Sequence, residues 1–222
     1  MPNHVTNVLH VDNPEVIKSI LDDNGYVDFN NIISMPKELE DTEFPVSEET
    51  AKITNSIINL VDFLKKTVPQ QELEEKTESL YKVLDSVGCS QYTKYVKVYK
   101  ECGCIDWRSW CLKYWGTKWN AFEQDKSENL KTRVKFSTAW NMPEALYKEL
   151  SKKFPNETIT VEYADEDIGS NCGIVTYKNG EETSSDISDD HTDPEWIKFS
   201  LNLQNKKPED YGYNEHYESV ND

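Results

Sequence analysis

The chain has 222 residues, with 24 Lys plus Arg against 41 Asp plus Glu, a formal net charge of -17 and 36% hydrophobic residues. Six Trp, twelve Tyr and seven Phe exclude a disordered chain, which lacks aromatics to bury, and the acidic balance excludes broad, tight nucleic-acid binding, which needs Lys and Arg to replace phosphate counterions. No apolar run approaches the roughly 18 residues that span a bilayer, and Met1-Pro2-Asn3-His4 lacks the basic and apolar regions of a signal peptide, so a cytoplasmic protein is expected.

Residues 5–11 alternate, with Val5, Leu9 and Val11 on one face and His4, Thr6, Val8 and His10 on the other, the period of a half-buried strand. Asn13 as N-cap and Pro14 at the first helical position start a helix carrying Val16, Ile17, Ile20 and Leu21, which Asn24-Gly25 closes. An extended segment follows to Pro36, since the residue before a proline is biased away from helix. From about Glu38 to Tyr99 the pattern turns helical. Ile53, Ile57, Leu60, Val61 and Leu64 form one stripe and Leu73, Leu80, Val83 and Leu84 a second, separated by Pro69 and ended by Gly88. This predicts an inserted helical hairpin over 43–104.

Four of the six tryptophans fall in the thirteen residues from Trp107 to Trp119. Trp107, Trp110, Cys111 and Tyr114 share a helical face that Gly116 should end. Residues 119–124 and 130–140 read as a hairpin, with Leu130, Val134, Phe136 and Trp140 facing one way and Lys131, Arg133, Lys135 and Ser137 the other. Pro143 starts a helix with Leu146, Leu150 and Phe154; residues 158–163 and 173–177 are strands, the latter followed by an Asn179-Gly180 turn. Residues 184–194 read as a loop, and a short helix from Pro194 carries Trp196, Ile197 and Phe199. The order predicts an α+β fold of ferredoxin-like type: an antiparallel sheet with helices packed on one face, formed by 1–42 and 105–183, plus the inserted hairpin and an acidic C-terminal extension over 184–222.

Residues 156–222 carry -13 of the net -17. Such a concentration is either a solvating end or a face built to meet a basic partner, with Asp186, Asp189, Asp190, Asp193 and Glu195 as the binding residues. The Trp cluster likewise either fills the core or stacks on a ligand. Both arginines stand near it, so the ligand reading takes Arg108, Trp115, Lys118, Trp119, Lys131, Arg133 and Lys135 as a pocket for a small anion. Cys89, Cys102, Cys104 and Cys111 are spaced C-x12-C-x-C-x6-C, unlike paired zinc ligands, so reduced thiols are expected. The acids around His191 lack the glycine and terminal Glu of a calcium loop. His4 and His10 lie about 20 Å apart at strand rise, too far to share an ion. No nucleophile-elbow, zinc-protease or phosphate-loop motif occurs, so no catalytic residue, metal or cofactor is expected. An enzyme using Asp190 or His191 is the third alternative.

Residues 1–7, 28–39, 114–121 and 136–143, which read MPNHVTN, DFNNIISMPKEL, YWGTKWNA and FSTAWNMP, occur together in the order found in the YubB-like ferredoxin-like domain family of phage and plasmid proteins, which the chain resembles. The resemblance implies a ferredoxin-like fold and a mobile-element origin, and it brings no catalytic residues. The chain departs from the family at His4-Val5, where a Trp followed by a small residue is common, in its helical insertion and in its acidic end. The expectation is a non-enzymatic phage accessory protein in the host cytoplasm, inhibiting or redirecting a host protein with a basic nucleic-acid-binding surface, in a counter-defence role. It would touch neither nucleic acid nor membrane. The alternative is a module that sequesters an anionic ligand such as a signalling nucleotide.

Overall fold

The computed structural model describes residues 3–40, 42 and 46–220; Met1, Pro2 and the start of the insertion at residues 43–45 lie outside them. The chain forms two compact units, residues 3–34 with 111–220, and residues 35–110.

The first unit is built on a five-stranded antiparallel sheet in the order β2-β1-β3-β4-β5. Its strands are β1 (His4–His10), β2 (Arg133–Ala139), β3 (Ile159–Asp165), β4 (Cys172–Lys178) and β5 (Glu181–Ile187). Their register places Val5, Asn7, Leu9, Phe136, Val161, Tyr163, Val175 and Tyr177 on one face, and every one of them is buried. That face carries the core. Helix α1 (Pro14–Ile20), capped by the Asn13 side chain as expected, buries Val16, Ile17 and Ile20. Its end is tied by Asp28 N–H donating to Ile20 O to the segment where Phe29 meets Phe136 edge-on. Helix α7 (Glu144–Lys153) lies on the same face, its Tyr147 ring stacked on Tyr177 at 6.1 Å.

Three elements differ from the sequence reading. Residues 119–124 make only the Phe122–Ser137 bridge beside β2, so the first hairpin is not formed. Asn120 and Gln124 are drawn instead to the 27–29 segment, where Phe29 N–H donates to Asn120 Oδ1 and Val27 N–H to Gln124 Oε1. Leu130 stays 62% exposed before β2 begins. Residues 184–187 are strand rather than loop, because the Asn179-Gly180 turn, with φ of 49° and 85°, returns the chain alongside β4. Finally, α8 (Pro194–Leu203) packs on the opposite face from α7: Ser200 meets Cys172, which pairs with Ala164 on that face. The acidic end is therefore part of the sheet unit.

The second unit holds α2 (Lys37–Glu40), α3 (Glu48–Thr67), α4 (Gln70–Ser86) and α5 (Ser90–Cys102), and α6 (Trp107–Tyr114) runs across the division between the units. The expected hairpin is a three-helix bundle: α3, α4 and α5 enclose Ile57, Ile58, Val61, Tyr81, Tyr92 and Val96. Gly88 and Gly103, at φ of 78° and 70°, end α4 and α5.

Candidate functional site

The acidic end is held in place by specific bonds. Ser188 donates from its N–H to Cys172 O and from its hydroxyl to Gly169 O. Asp190 accepts from Thr192 N–H at 2.8 Å and from its hydroxyl at 2.7 Å, and these two bonds lower the Asp190 pKa. Asp193 caps α8 by accepting from Glu195 N–H at 2.9 Å. Gly169, at φ +82°, lies so close to the His191 carbonyl that an added Cβ would sit 2.4 Å from it. Of the five predicted partner residues, Asp190 and Asp193 thus also shape the loop. Asp186, Asp189 and Glu195 are exposed, and among the described residues no hydrogen bond or ion pair engages their carboxylates.

β5 presents the same character. All seven of its residues are exposed, it is the edge of the sheet, and its pairing with β4 shifts register at Thr176/Tyr177. Bulges and charges on an edge strand oppose pairing with a second sheet. Glu181 and Glu182 raise the pKa of Lys148 after the larger effect of Glu144, which accepts a hydrogen bond from its ammonium. From Glu181 to Glu195 the chain carries seven acidic residues and neither Lys nor Arg.

The predicted anion pocket is distributed differently. Trp115 is 2% exposed, donates from Nε1 to Ile33 O at 2.8 Å and meets Phe29 edge-on, which makes it a core residue with no face for a ligand. Lys118 places its ammonium 4.4 Å from the Trp119 ring and 5.2 Å from that of Trp140. Lys131 is exposed in the turn before β2. Arg133 and Lys135 stand on the sheet face opposite the core, paired with His10 and Val8. Arg108 belongs to the helical unit.

On that outer face the sequence reading set His10 aside with His4 and missed its partner Glu162. His10 and Glu162 meet at 2.9 Å, with side chains 39% and 32% exposed. Glu162 and Arg133 line a cleft of about 290 Å³ with Phe199, Asn202 and Asn205 of the α8 end. Only the i, i+2 alternation of His10 with Val8 hinted at it, because pairing across strands far apart in sequence is invisible in a single run. Asn7 was missed for the same reason. Fully buried on the core face, it donates to Val5 O and Thr138 Oγ1 and accepts from the Tyr147 hydroxyl at 3.0 Å.

All five cysteines are free thiols; burial raises the Cys172 pKa against smaller opposing bonds from Ser200 and Ser188. Among the described residues no three His, Cys, Asp or Glu side chains gather as a metal-holding group, and no helix is long and apolar enough to cross a membrane.

No curated protein and no solved structure matches the chain significantly. Residues 115–200, which contain β2 to β5, α7 and the acidic loop, match a family model described as the ferredoxin-like domain in Api92-like protein, in agreement with the α+β sheet architecture.

Proposed function

We propose that this chain is a non-enzymatic accessory protein of YubB-like kind, carried by a phage or plasmid, that binds a basic, nucleic-acid-binding surface of a host protein and inhibits or redirects it. The observation that supports this reading is the run from Glu181 to Glu195, seven acids without a Lys or Arg, displayed on an edge strand and a pinned loop. Fixed charges of one sign on a rigid support steer an oppositely charged partner and lose little entropy on binding it. Charge density limits the mimicry, because a duplex carries one charge per roughly 1.7 Å. The partner would therefore also meet uncharged parts of the surface.

Truncation before Ser184 would cut β5 in half, so the test uses substitutions. Glu182→Gln, Asp186→Asn, Asp189→Asn and Glu195→Gln are combined, and affinity capture from host lysate is compared for both proteins at about 0.1 M and about 0.5 M salt, with duplex DNA as competitor. The reading expects a host protein that is retained at low salt, released by salt and by DNA, and lost with the variant. Retention indifferent to all three overturns it.

The cleft beside Arg133 supports a second reading, a module for a small anion. Here Arg133 supplies the charge, Phe199 a ring face, and Asn202 with Glu162 the polar edge recognition. Native mass spectrometry of protein from infected cells tests it: a retained nucleotide, lost in Arg133→Met, supports this reading, and its absence counts against it.

A further inference from the structure

A cavity of about 440 Å³ opens beside the start of α7, within the size range of small-molecule sites. Lys113, Met142, Glu144, Ala145, Tyr163 and Asn171 line it, and all six belong to the sheet unit. It shares no lining residue with the cleft beside Arg133.

Two observations point to an occupant. Tyr163 is 5% exposed, and its hydroxyl has no hydrogen-bond partner among the described residues, yet it is not sealed off as the Thr54 and Tyr81 hydroxyls are. The Tyr163 phenol feels the charge of Glu144, and the Tyr177 hydroxyl beside it reaches Met142 Sδ at 3.9 Å. The hydroxyl end of Tyr163 is thus directed at the wall that Met142 and Glu144 form. Burial first, then Cys172, Glu182 and Glu144, raise its pKa and keep it a protonated donor at neutral pH. The second observation is that α7 starts without a side-chain cap, because Pro143 stands at the cap position. The Glu144 N–H turns back to Met142 O, and those of Leu146 and Tyr147 to Pro143 O. The Ala145 N–H between them has no acceptor among the described residues, and such an orphan donor at a helix start favours a negative group.

The rest of the lining narrows the class of ligand, since it carries Lys113 and Glu144, one charge of each sign. Glu144 Oε1 is held by Lys148, which leaves Oε2 as an acceptor. Asn171 donates from its amide to Trp140 O at 3.2 Å and to Asp165 Oδ2 at 3.1 Å, which turns its carbonyl oxygen away from both as a second acceptor. A ligand of a single sign would meet one like charge here, whereas a zwitterion matches both. We propose that the cavity binds a free α-amino acid with an apolar side chain. Its carboxylate accepts from the Tyr163 hydroxyl and the Ala145 N–H, and its ammonium donates to Glu144 Oε2 and Asn171 Oδ1. The side chain lies against Leu112 and Met142.

The test titrates the full chain with L-leucine and with its two single-charge analogues, isocaproate and isoamylamine, read by calorimetry. L-leucine is expected to give saturable heat, and each analogue to bind at least about tenfold more weakly. Tyr163→Phe and Glu144→Gln should each weaken L-leucine binding about tenfold. Urea unfolding of Tyr163→Phe should match the parent, because the hydroxyl makes no bond in the free chain, so its lost affinity reports the site rather than the fold. No saturable heat with L-leucine, an analogue that binds as tightly as L-leucine, or equal binding by parent and variants each overturns the proposal.

Discussion

The sheet unit and the helical unit differ in how completely they satisfy buried polar groups, although Thr42 and Asp106 of the helical unit are well bonded. In the sheet unit Asn7, Thr138 and Tyr147 satisfy one another on the core face. Asp165, 4% exposed, accepts from Asn3, Asn171 and the Asp167 N–H. In the helical unit Thr54 Oγ1 and the Tyr81 hydroxyl are enclosed with no partner among the described residues. Exposed apolar side chains do not separate the two, since Leu60, Phe63, Val83 and Val87 of the bundle are matched by Leu130, Ile187 and Val220 of the sheet unit. A satisfied buried network specifies one arrangement strongly, whereas an enclosed group without a partner costs stability. The sheet unit is accordingly the better-satisfied scaffold, while two enclosed polar groups of the bundle have no partner among the described residues.

The most severe way to break that contrast is to open each core. Leu9 and Val61, 0% and 1% exposed, are the central residues to truncate. Leu9→Ala should cost the sheet unit about 2–5 kcal/mol, the usual range for such cavities, and Val61→Ala somewhat less in the bundle. If the units are independently stabilised, differential scanning calorimetry will show each substitution moving a different transition. Both substitutions lowering a single transition together would show that the units unfold as one.

Next in size is Asn7→Ala. It strands the Tyr147 hydroxyl and removes the donor to Thr138 Oγ1, so urea denaturation should report a loss of about 2–3 kcal/mol. A loss under about 0.5 kcal/mol would mean that the satisfied network contributes nothing beyond its packing.

How much of this was legible in the sequence follows the same division. Local signals were read correctly where one residue type decides the backbone: Asn13 as cap, Gly88 and Gly116 at positive φ, and the Asn179-Gly180 turn. The alternation in β1 and β2 was readable because one face is buried. β5 was not, because an edge strand exposed on all seven residues carries no apolar alternation and reads as a polar loop. Helix α5 was missed because Tyr95-Val96-Lys97-Val98-Tyr99 has strand-like composition; packing against α3 and α4 overrides that preference. The candidate site was half legible. The acids of 181–195 stand out by composition, whereas the His10–Glu162–Arg133 grouping is made by strand order alone, and Trp115 looked available until its buried neighbours were known.

A smaller effect separates anchoring from charge at the acidic end. In Gly169→Ala the new methyl would meet the His191 carbonyl at a positive-φ position, so the 188–193 loop must shift, at a cost of about 1–3 kcal/mol. If partner binding depends on the loop being held, this variant should lose affinity with its charge unchanged. Affinity equal to the parent's would mean that charge alone suffices.

The mildest test probes the sheet core through pH. Burial, reinforced by Glu144 and Glu182, holds the Tyr177 hydroxyl well above its ordinary 10.0, and burial followed by Tyr177 does the same to Tyr147. Folded chains keep these protons after unfolded chains have lost theirs, so the folded state binds more protons above about pH 10 and stability falls as pH rises. Below that pH the contribution is fully present and flat. Each phenol steepens the fall by about 1.4 kcal/mol per pH unit, and Tyr177→Phe should remove one share of it. At neutral pH the same change should cost little, because the hydroxyl has only a 3.9 Å contact with Met142 Sδ. Denaturation series from about pH 8 to about pH 11 on parent and variant would show the two curves parallel at first and diverging above pH 10. Curves that stay parallel throughout would show that the core admits water around Tyr177, contrary to the tight packing assigned to the scaffold.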